Sequence, residues 1–394
     1  SGRGCAELAA ALLGRKPEPR HVQRCDYRAR DGQLVDDVLV TFFAGPQSYT
    51  GEDALEISCH GNPFIAQKIL EDLFARGCRP AEAGEFTQRA FLNGRMDLSQ
   101  AEAVMDLIHA RSERALAAAN RQLRGALGQR MNELISRLVS VIARLEAYID
   151  FPEEDLPPED VAGLRGEIDA LARETGRLLA TNHYHGILRD GLKTVILGAP
   201  NAGKSSLLNR LVGYDRALVS AEPGTTRDFI EERITVGPHC LRLIDTAGLN
   251  AAPGVIEAMG IAKTREQAAA ADLILWVWDA STSVAAALPR ELAAELAATG
   301  QRLICVANKM DLVNSKRVDV EIERQGAFTV SSLTGAGFER LIDAIVAFAD
   351  GFQRDIGEDM VAVNARHADA LRRAVQGLSA ATAKLGGRIA AELV

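Results

Sequence analysis

The sequence predicts a multidomain chain combining α/β and all-α architecture: an N-terminal α+β domain, a discontinuous helical domain, and a doubly wound α/β domain inserted into it. Three observations carry this. Residues 1–93 mix alternating apolar stretches with a segment of helical period. Residues 94–187, and again 353–394, repeat apolar side chains at helical spacing. Between them, over 188–352, short apolar runs alternate with helical stretches, the pattern of a mostly parallel sheet covered on both faces. At 394 residues the chain also exceeds what one ordinary core supports.

Taken in order, Val35–Phe43 and Ala54–Ser58 alternate as strands, and Pro63–Arg76 has helical spacing. Ser99 and Glu102 read as a capping box, each side chain satisfying a free backbone N–H at a helix start. A helix is expected to continue from there through Leu127, Met131, Leu134, Leu138, Val141, Ile142, Leu145 and Ile149. Pro152, Pro157 and Pro158 stop it, and a second helix fills Glu159–Ala180. Strands are expected at Thr194–Leu197, Arg233–Val236, Leu241–Ile244, Leu273–Trp278, Leu303–Val306 and Phe328–Val330. After Gln353 the helical period returns, with Leu371, Val375, Leu378, Leu385 and Ile389 on one face. Helix, α/β, then helix is the pattern of an inserted domain whose two ends lie close together.

Composition narrows the classes. Hydrophobic residues make up 47% and charged residues 25%, which suits a globular chain and excludes a disordered one. The net charge of −8 argues against a general nucleic-acid coat but leaves room for a local basic face. Arg111, Arg114, Arg121, Arg124, Arg130 and Arg137 are the candidates for one; they read first as a solvated helix face, with RNA contact the alternative. No apolar run is long enough to cross a bilayer, so no membrane association is expected. The chain opens at Ser1 with neither a methionine nor a signal-like segment, so a fragment or processed chain in the cytoplasm is expected. Cys5, Cys25, Cys59, Cys78, Cys240 and Cys305 are scattered without CxxC or zinc spacing and are expected to be reduced thiols.

The inserted segment carries the chemistry. Gly198-Ala-Pro-Asn201-Ala202-Gly203-Lys204-Ser205 follows a predicted strand and precedes a helical run starting at Ser206, the context a phosphate loop requires. Its glycines let backbone N–H groups point at a β-phosphate, Lys204 spans the β- and γ-phosphates, and the Ser205 hydroxyl suits Mg²⁺. Asp245-Thr246-Ala247-Gly248 ends another predicted strand, where a carboxylate reaches Mg²⁺ through water and a glycine approaches the γ-phosphate. Asn308-Lys309-Met310-Asp311 ends a third; Asp311 can accept two hydrogen bonds from the N1–H and 2-amino group of guanine, which adenine cannot supply. Ser331, Ser332 and Leu333 offer donors to the guanine carbonyl, and Pro223–Asp228 forms a polar loop able to sense the γ-phosphate. The ordered set predicts a guanine-nucleotide site of the Ras-like P-loop type. A glutamine that orients water in Ras-like proteins is replaced here by Leu249, and Arg227 is only a weak candidate for an arginine finger.

Further phrases lie outside this segment: Ser48–Asp53, His60-Gly61, Gly84–Thr87, Arg89–Asn93, Asp97–Glu102 and Asp150–Asp155. With them the sequence resembles, over essentially its whole length, the MnmE (TrmE) family of tRNA-modification GTPases. The resemblance implies a K⁺ ion in place of an arginine finger, with Asn201 as its side-chain ligand and Ser220, Glu222 and Thr225 in the loop that completes the cage. It implies Thr226 beside Ser205 on Mg²⁺, Glu257 as the residue that helps orient the attacking water, and Lys204 as the catalytic lysine of the phosphate loop. It implies an N-terminal domain that binds a 5-formyl- or 5,10-methylene-tetrahydrofolate at Glu56 and Arg95 and forms a homodimer. Pairing of two G domains on GTP and K⁺, a flavoprotein partner (MnmG, also called GidA), and installation of a carboxymethylaminomethyl group on tRNA wobble uridine U34 follow from the same resemblance.

Arg95 stands where the family usually has lysine. The family's first N-terminal strand and its C-terminal CxGK tail are not matched between Ser1 and Val394, so the expectation is GTP hydrolysis without completed modification by this chain alone. The competing expectation is a ribosome-assembly or RNA-chaperone GTPase, which shares the Pro223–Asp228 and Asn308–Asp311 motifs but not the host phrases. A dynamin-like membrane GTPase is disfavoured, because no amphipathic basic-aromatic anchor is visible.

Overall fold

The computed structural model describes residues 1–150, 159–214, 231–245, 266, 268–282, 302–313, 320, 322–324, 326–356 and 361–385. Two compact units emerge: Ser1–Met105 with Gln122–Gly128, and Asp106–Arg121 with Gln129–Val394.

The first unit holds α1 (Cys5–Leu13), strands β1 (Val22–Arg28), β2 (Leu34–Phe43) and β3 (Ala54–Ser58), α2 (Pro63–Ala75) and α3 (Glu85–Leu92). The strands form an antiparallel sheet in the order β1-β2-β3. Alternation along β2 turns Val38, Val40 and Phe42 inward, where Val38 and Val40 meet Tyr27 of β1 and Ile69 of α2. Tyr27 is fully buried, and its hydroxyl donates to Asp72 of α2 at 2.8 Å. The Asp72 carboxylate also accepts from Arg30 N at 2.9 Å and Arg76 Nε at 2.6 Å. Burial pushes Asp72 up, but these donors outweigh it and hold the carboxyl below its ordinary range. α2 starts where expected: the Asn62 side chain accepts from Phe64 N, and Pro63 occupies the first helical position. Sequence patterning missed α1 and β1, one alanine-rich and short, the other mostly polar.

The expected capping box is corrected. α4 (Leu98–His109) begins one residue before Ser99, so Ser99 already lies inside the first turn. Asp97 plays the cap: its carboxylate accepts from Gln100 N at 2.8 Å, and Gln100 Oε1 accepts from Asp97 N at 2.9 Å. The single long helix expected from Ser99 to Ile149 is also corrected, because α4, α5 (Glu113–Leu123) and α6 (Ala126–Asp150) are separate. Ser112 Oγ restarts the chain by accepting from Ala115 N, and Gly125 N closes a turn on Gln122 O.

In the second unit α7 (Glu159–Asp190) runs past its expected end at Ala180 and leads directly into β4 (Leu192–Gly198). A six-stranded sheet follows in the order β5-β6-β4-β7-β8-β9, with β5 (Glu231–Val236), β6 (His239–Asp245), β7 (Leu273–Asp279), β8 (Arg302–Asn308) and β9 (Phe328–Thr329). All pairings are parallel except β5 with β6. Leu192 and Ile196 of β4 pack on one face with α8 (Lys204–Tyr214) and α9 (Phe338–Ile356), through Leu207, Leu211, Leu341 and Ile345. Val195 and Leu197 face the other way, against Ile244, Ala268, Ala271 and Ile274. Burial on both faces is why these strands read as unbroken apolar runs. The chain leaves α9 and returns to α7: Thr181 Oγ1 accepts from Val363 N at 3.1 Å, and Asn364 then caps α10 (Ala365–Leu385), which packs along α7. The doubly wound domain is therefore inserted between two helices that lie together, as the sequence implies.

Contacts within this unit tie α5 to the sheet. Arg114 N donates to Pro238 O at 3.2 Å, while Asp350 of α9 accepts from the Arg114 guanidinium at 3.1 Å and pairs with His239 Nε2 at 2.9 Å. Of the candidate basic face, Arg130 and Arg137 pair with Glu174 of α7, so part of its charge is neutralised internally. All six cysteines are free, with Cys240 buried and Cys78 exposed. Among the described residues no helix is long and apolar enough to cross a membrane.

Candidate nucleotide-binding site

Parallel strands deliver their C-terminal ends to one edge of the sheet. β4 ends at Gly198, β6 at Asp245, β7 at Asp279 and β8 at Asn308. β4 lies between β6 and β7, so the chain departs to opposite sides of it, the crevice where doubly wound sheets bind ligands. The expected phosphate loop follows β4 at this point.

Gly203 makes that loop possible. Its φ is +90°, and a Cβ there would lie 2.3 Å from Asn308 Nδ2, so no other residue fits without displacing the amide. Gly198 is equally constrained, since a Cβ would stand 1.9 Å from the Val277 carbonyl of β7. Asn201 is exposed, with φ of +63°. Ala202 is buried, and Ala202 N closes the loop on Ala199 O. Lys204, the first residue of α8, is only 7% exposed; its ammonium donates to Gly198 O and Ala199 O, each at 3.0 Å. Ser205 and Ser206 are exposed in the first turn of α8, where the helix dipole favours an anion.

Asn308 joins this loop to the segments expected to recognise the base. It is 1% exposed, and its amide nitrogen donates to Ala202 O at 3.1 Å and Gly203 O at 3.5 Å. Its Oδ1 accepts from Ser332 N at 3.0 Å and Ser332 Oγ at 2.9 Å. Asp311 is exposed, and Ser331 Oγ donates to its Oδ1 at 2.5 Å, which leaves lone pairs for a ligand. Leu333 is exposed beside them. Lys309 adopts φ of +62°, and its ammonium pairs with Asp279 Oδ2 at 2.7 Å. Asp279 was not among the expected site residues; its only signal in the sequence is an acid closing the apolar run Leu273–Trp278.

The structure therefore brings Asn201, Ala202, Gly203, Lys204, Ser205, Asn308, Lys309, Asp311, Ser331 and Ser332 into one group of loops. A glycine cradle, a buried lysine resting on the loop's own carbonyls, and an exposed hydroxyl at a helix start fit a nucleotide with Mg²⁺. Asp245 closes β6 at the same edge. Ser220, Glu222, Thr225, Thr226, Thr246, Ala247, Gly248 and Glu257 lie outside the described residues.

In the first unit, Glu56 is exposed on β3 opposite Thr41 of β2. Arg95 is exposed just after α3; its N–H donates to Ala90 O, and its stem lies beside Gly51. Among the described residues no hydrogen bond or ion pair joins Glu56 to Arg95.

The family profile described as "MnmE helical domain" matches residues 98–394, and that described as "GTP-binding protein TrmE N-terminus" matches residues 1–95. The tRNA modification GTPase MnmE of Opitutus terrae is 58% identical over 395 residues, covering 100% of this chain and 87% of that protein. The MnmE of Akkermansia muciniphila is 44% identical over 372 residues, covering 93% of this chain and 81% of the relative. That of Desulforamulus reducens is 38% identical over 367 residues, covering 92% and 79%. A guanine-nucleotide site built on a doubly wound sheet, inside a helical host that matches end to end, makes this chain a member of the MnmE (TrmE) family of tRNA modification GTPases.

Proposed function

We propose that this GTPase is stimulated by K⁺ and acts in forming the carboxymethylaminomethyl group on tRNA wobble uridine U34, together with a flavoprotein of the MnmG (GidA) kind. The observation that carries the reading is Asn201: an exposed amide at φ of +63° in the phosphate loop, two residues before the glycine cradle. A monovalent cation held at that position supplies the positive charge that a guanidinium supplies elsewhere when charge develops between the β- and γ-phosphates. Asn201 would hold it with Ser220, Glu222 and Thr225. Mg²⁺ would be held by Ser205 and Thr226, with Asp245 reaching it through water. Lys204 leaves its two carbonyls to neutralise the phosphates, and Glu257 orients the attacking water that Leu249 cannot.

Residues 1–93 bind a 5-formyl- or 5,10-methylene-tetrahydrofolate at Glu56 and Arg95 and form the homodimer; 94–187 and 353–394 form the helical domain; and 188–352 form the G domain, which pairs with its partner copy on GTP and K⁺. The compartment is the cytoplasm and the RNA substrate is tRNA.

The test is GTP turnover by the same preparation in K⁺ and in Na⁺ at equal ionic strength, alongside equilibrium binding of 5-formyl-tetrahydrofolate. K⁺ is expected to raise kcat at least tenfold, and Asn201→Ala to abolish that difference while leaving GDP affinity within about threefold. Equal rates in the two salts with no folate affinity would favour a ribosome-assembly or RNA-chaperone switch instead.

A further inference from the structure

We infer that Asp279 is a positioning residue for guanine-nucleotide binding, acting through Lys309. The inference rests on the guanine-nucleotide reading of this site. It assigns a role to an acid outside the phosphate loop and the base-recognition motifs.

The geometry begins with register. Asp279 is the last residue of β7 and lies opposite Asn308, the last of β8, so the acid and the base-recognition motif leave the sheet side by side. Ala280 N donates to Asn308 O at 2.9 Å, which locks the two strand ends together. The two carboxylate oxygens of Asp279 then do different work. Oδ1 accepts from Ser281 N at 2.9 Å and Ser281 Oγ at 2.5 Å, closing the turn after β7. Oδ2 takes the Lys309 ammonium at 2.7 Å. Burial pushes Asp279 up, but Lys309 and Ser281 outweigh it, so the carboxyl stays ionised at neutral pH.

What this does to Lys309 follows from its stem. Lys309 is in the left-handed region, and its Cε lies 3.9 Å from the point where a Cβ on Gly203 would be. The aliphatic stem is thereby drawn along the phosphate loop at its glycine cradle, with the charge anchored beyond it on Asp279. A free lysine has four rotatable bonds, and a ligand resting on its stem must freeze them. Asp279 freezes them before the nucleotide arrives. The gain is one of preorganisation, roughly three- to tenfold in affinity for one side chain of this type. It falls on binding, because the Lys309 ammonium is already engaged by Asp279.

The test separates the two oxygens. Asp279→Asn keeps an acceptor for the Ser281 turn but replaces the Lys309 acceptor with a donor. Kd for a fluorescent GDP analogue and for GTP should rise by roughly three- to tenfold, KM should rise with it, and kcat should stay within twofold. Ser281→Ala, which disturbs the turn alone, should leave Kd unchanged. In a Lys309→Met background, adding Asp279→Asn should change Kd by less than twofold, since the residue through which it acts is gone. Asp279→Asn binding GDP like the parent would overturn the inference. So would an equal loss in the Lys309→Met background, or a nucleotide-free melting point that falls together with affinity, because each marks a purely structural acid. A parent chain that bound no guanine nucleotide would instead overturn the reading of the site.

Discussion

Replacing Asn308 by alanine perturbs the side chain that joins the loops of this site. The side chain is 1% exposed and makes bonds in two directions, to the phosphate-loop carbonyls of Ala202 and Gly203 and from the amide and hydroxyl of Ser332. Truncation strands the Ala202 carbonyl, which is buried, and the Ser332 amide, which is half-buried. A stranded buried group costs about 1–3 kcal/mol, and the bond to Gly203 O at 3.5 Å adds little. With Ser332 partly able to recruit water, about 2–4 kcal/mol is expected in total. Part of this falls on folding. The rest falls on binding, because the loops that lose their ties are those proposed to hold the nucleotide. If half falls on each, GDP affinity drops by about 5- to 30-fold. Displacement of a fluorescent GDP analogue gives the binding share, and urea unfolding of the nucleotide-free chain gives the folding share. An affinity within twofold of the parent, with the whole loss in unfolding, would refute the claim that Asn308 ties the two halves of the site together.

Two further outcomes follow from the same geometry. Gly203→Ala should abolish measurable nucleotide binding, since its Cβ would collide with Asn308 Nδ2 at 2.3 Å on a residue with φ of +90°; equilibrium binding reads it out, and retained affinity would show that the loop relaxes. In the first unit, Asp72→Asn should cost about 1–3 kcal/mol, because Tyr27 and Arg76 lose a buried carboxylate. The folded pKa of Asp72 is below its unfolded value, so its stabilisation is fully present above the ordinary carboxylate range and is lost as pH falls through and below it. Melts of the parent and the variant from pH 7 to pH 3 should therefore converge towards the acid end, and parallel curves would show that Asp72 does not carry the effect.

How much of this was legible in the sequence depended on which force wrote the signal. Strands of the inserted domain are buried on both faces, so β4 and β7 announce themselves as apolar runs. The loops proposed to hold the nucleotide stood out because phosphate and guanine demand particular residue types at fixed spacings. β1 was missed because only part of Val22–Arg28 turns inward, and its other side chains are charged or polar. The break between α5 and α6 was missed because apolar residues keep helical spacing across it, although Gly125 stood there as a signal. The cap was misplaced by two residues, since Ser99 and Glu102 satisfy the same spacing rule as Asp97 and Gln100, and only the position of the first turn decides between them. Asp279 was missed for a different reason: its role depends on a neighbouring strand, and no spacing within its own segment reveals that Lys309 lies beside it.

That dependence on neighbours is what turns a set of motifs into one site. Each motif alone needs only its own strand end: the phosphate loop after β4, the base-recognition residues after β8, the serines after β9. Asn308 removes their independence, because one buried amide spends its donor on the first segment and its acceptor on the third. Asp279 and Lys309 add a second tie from β7 across β8 to Gly203. A ligand that fits the guanine end therefore firms the cradle at the phosphate end, and the reverse holds by the same linkage. For a GTPase this matters more than affinity does. Interactions with the unreactive base help catalysis only if they fix the reacting phosphates, and a shared side chain is the shortest route from one to the other. Parallel strand topology places the three segments within reach, and the single asparagine makes them act together.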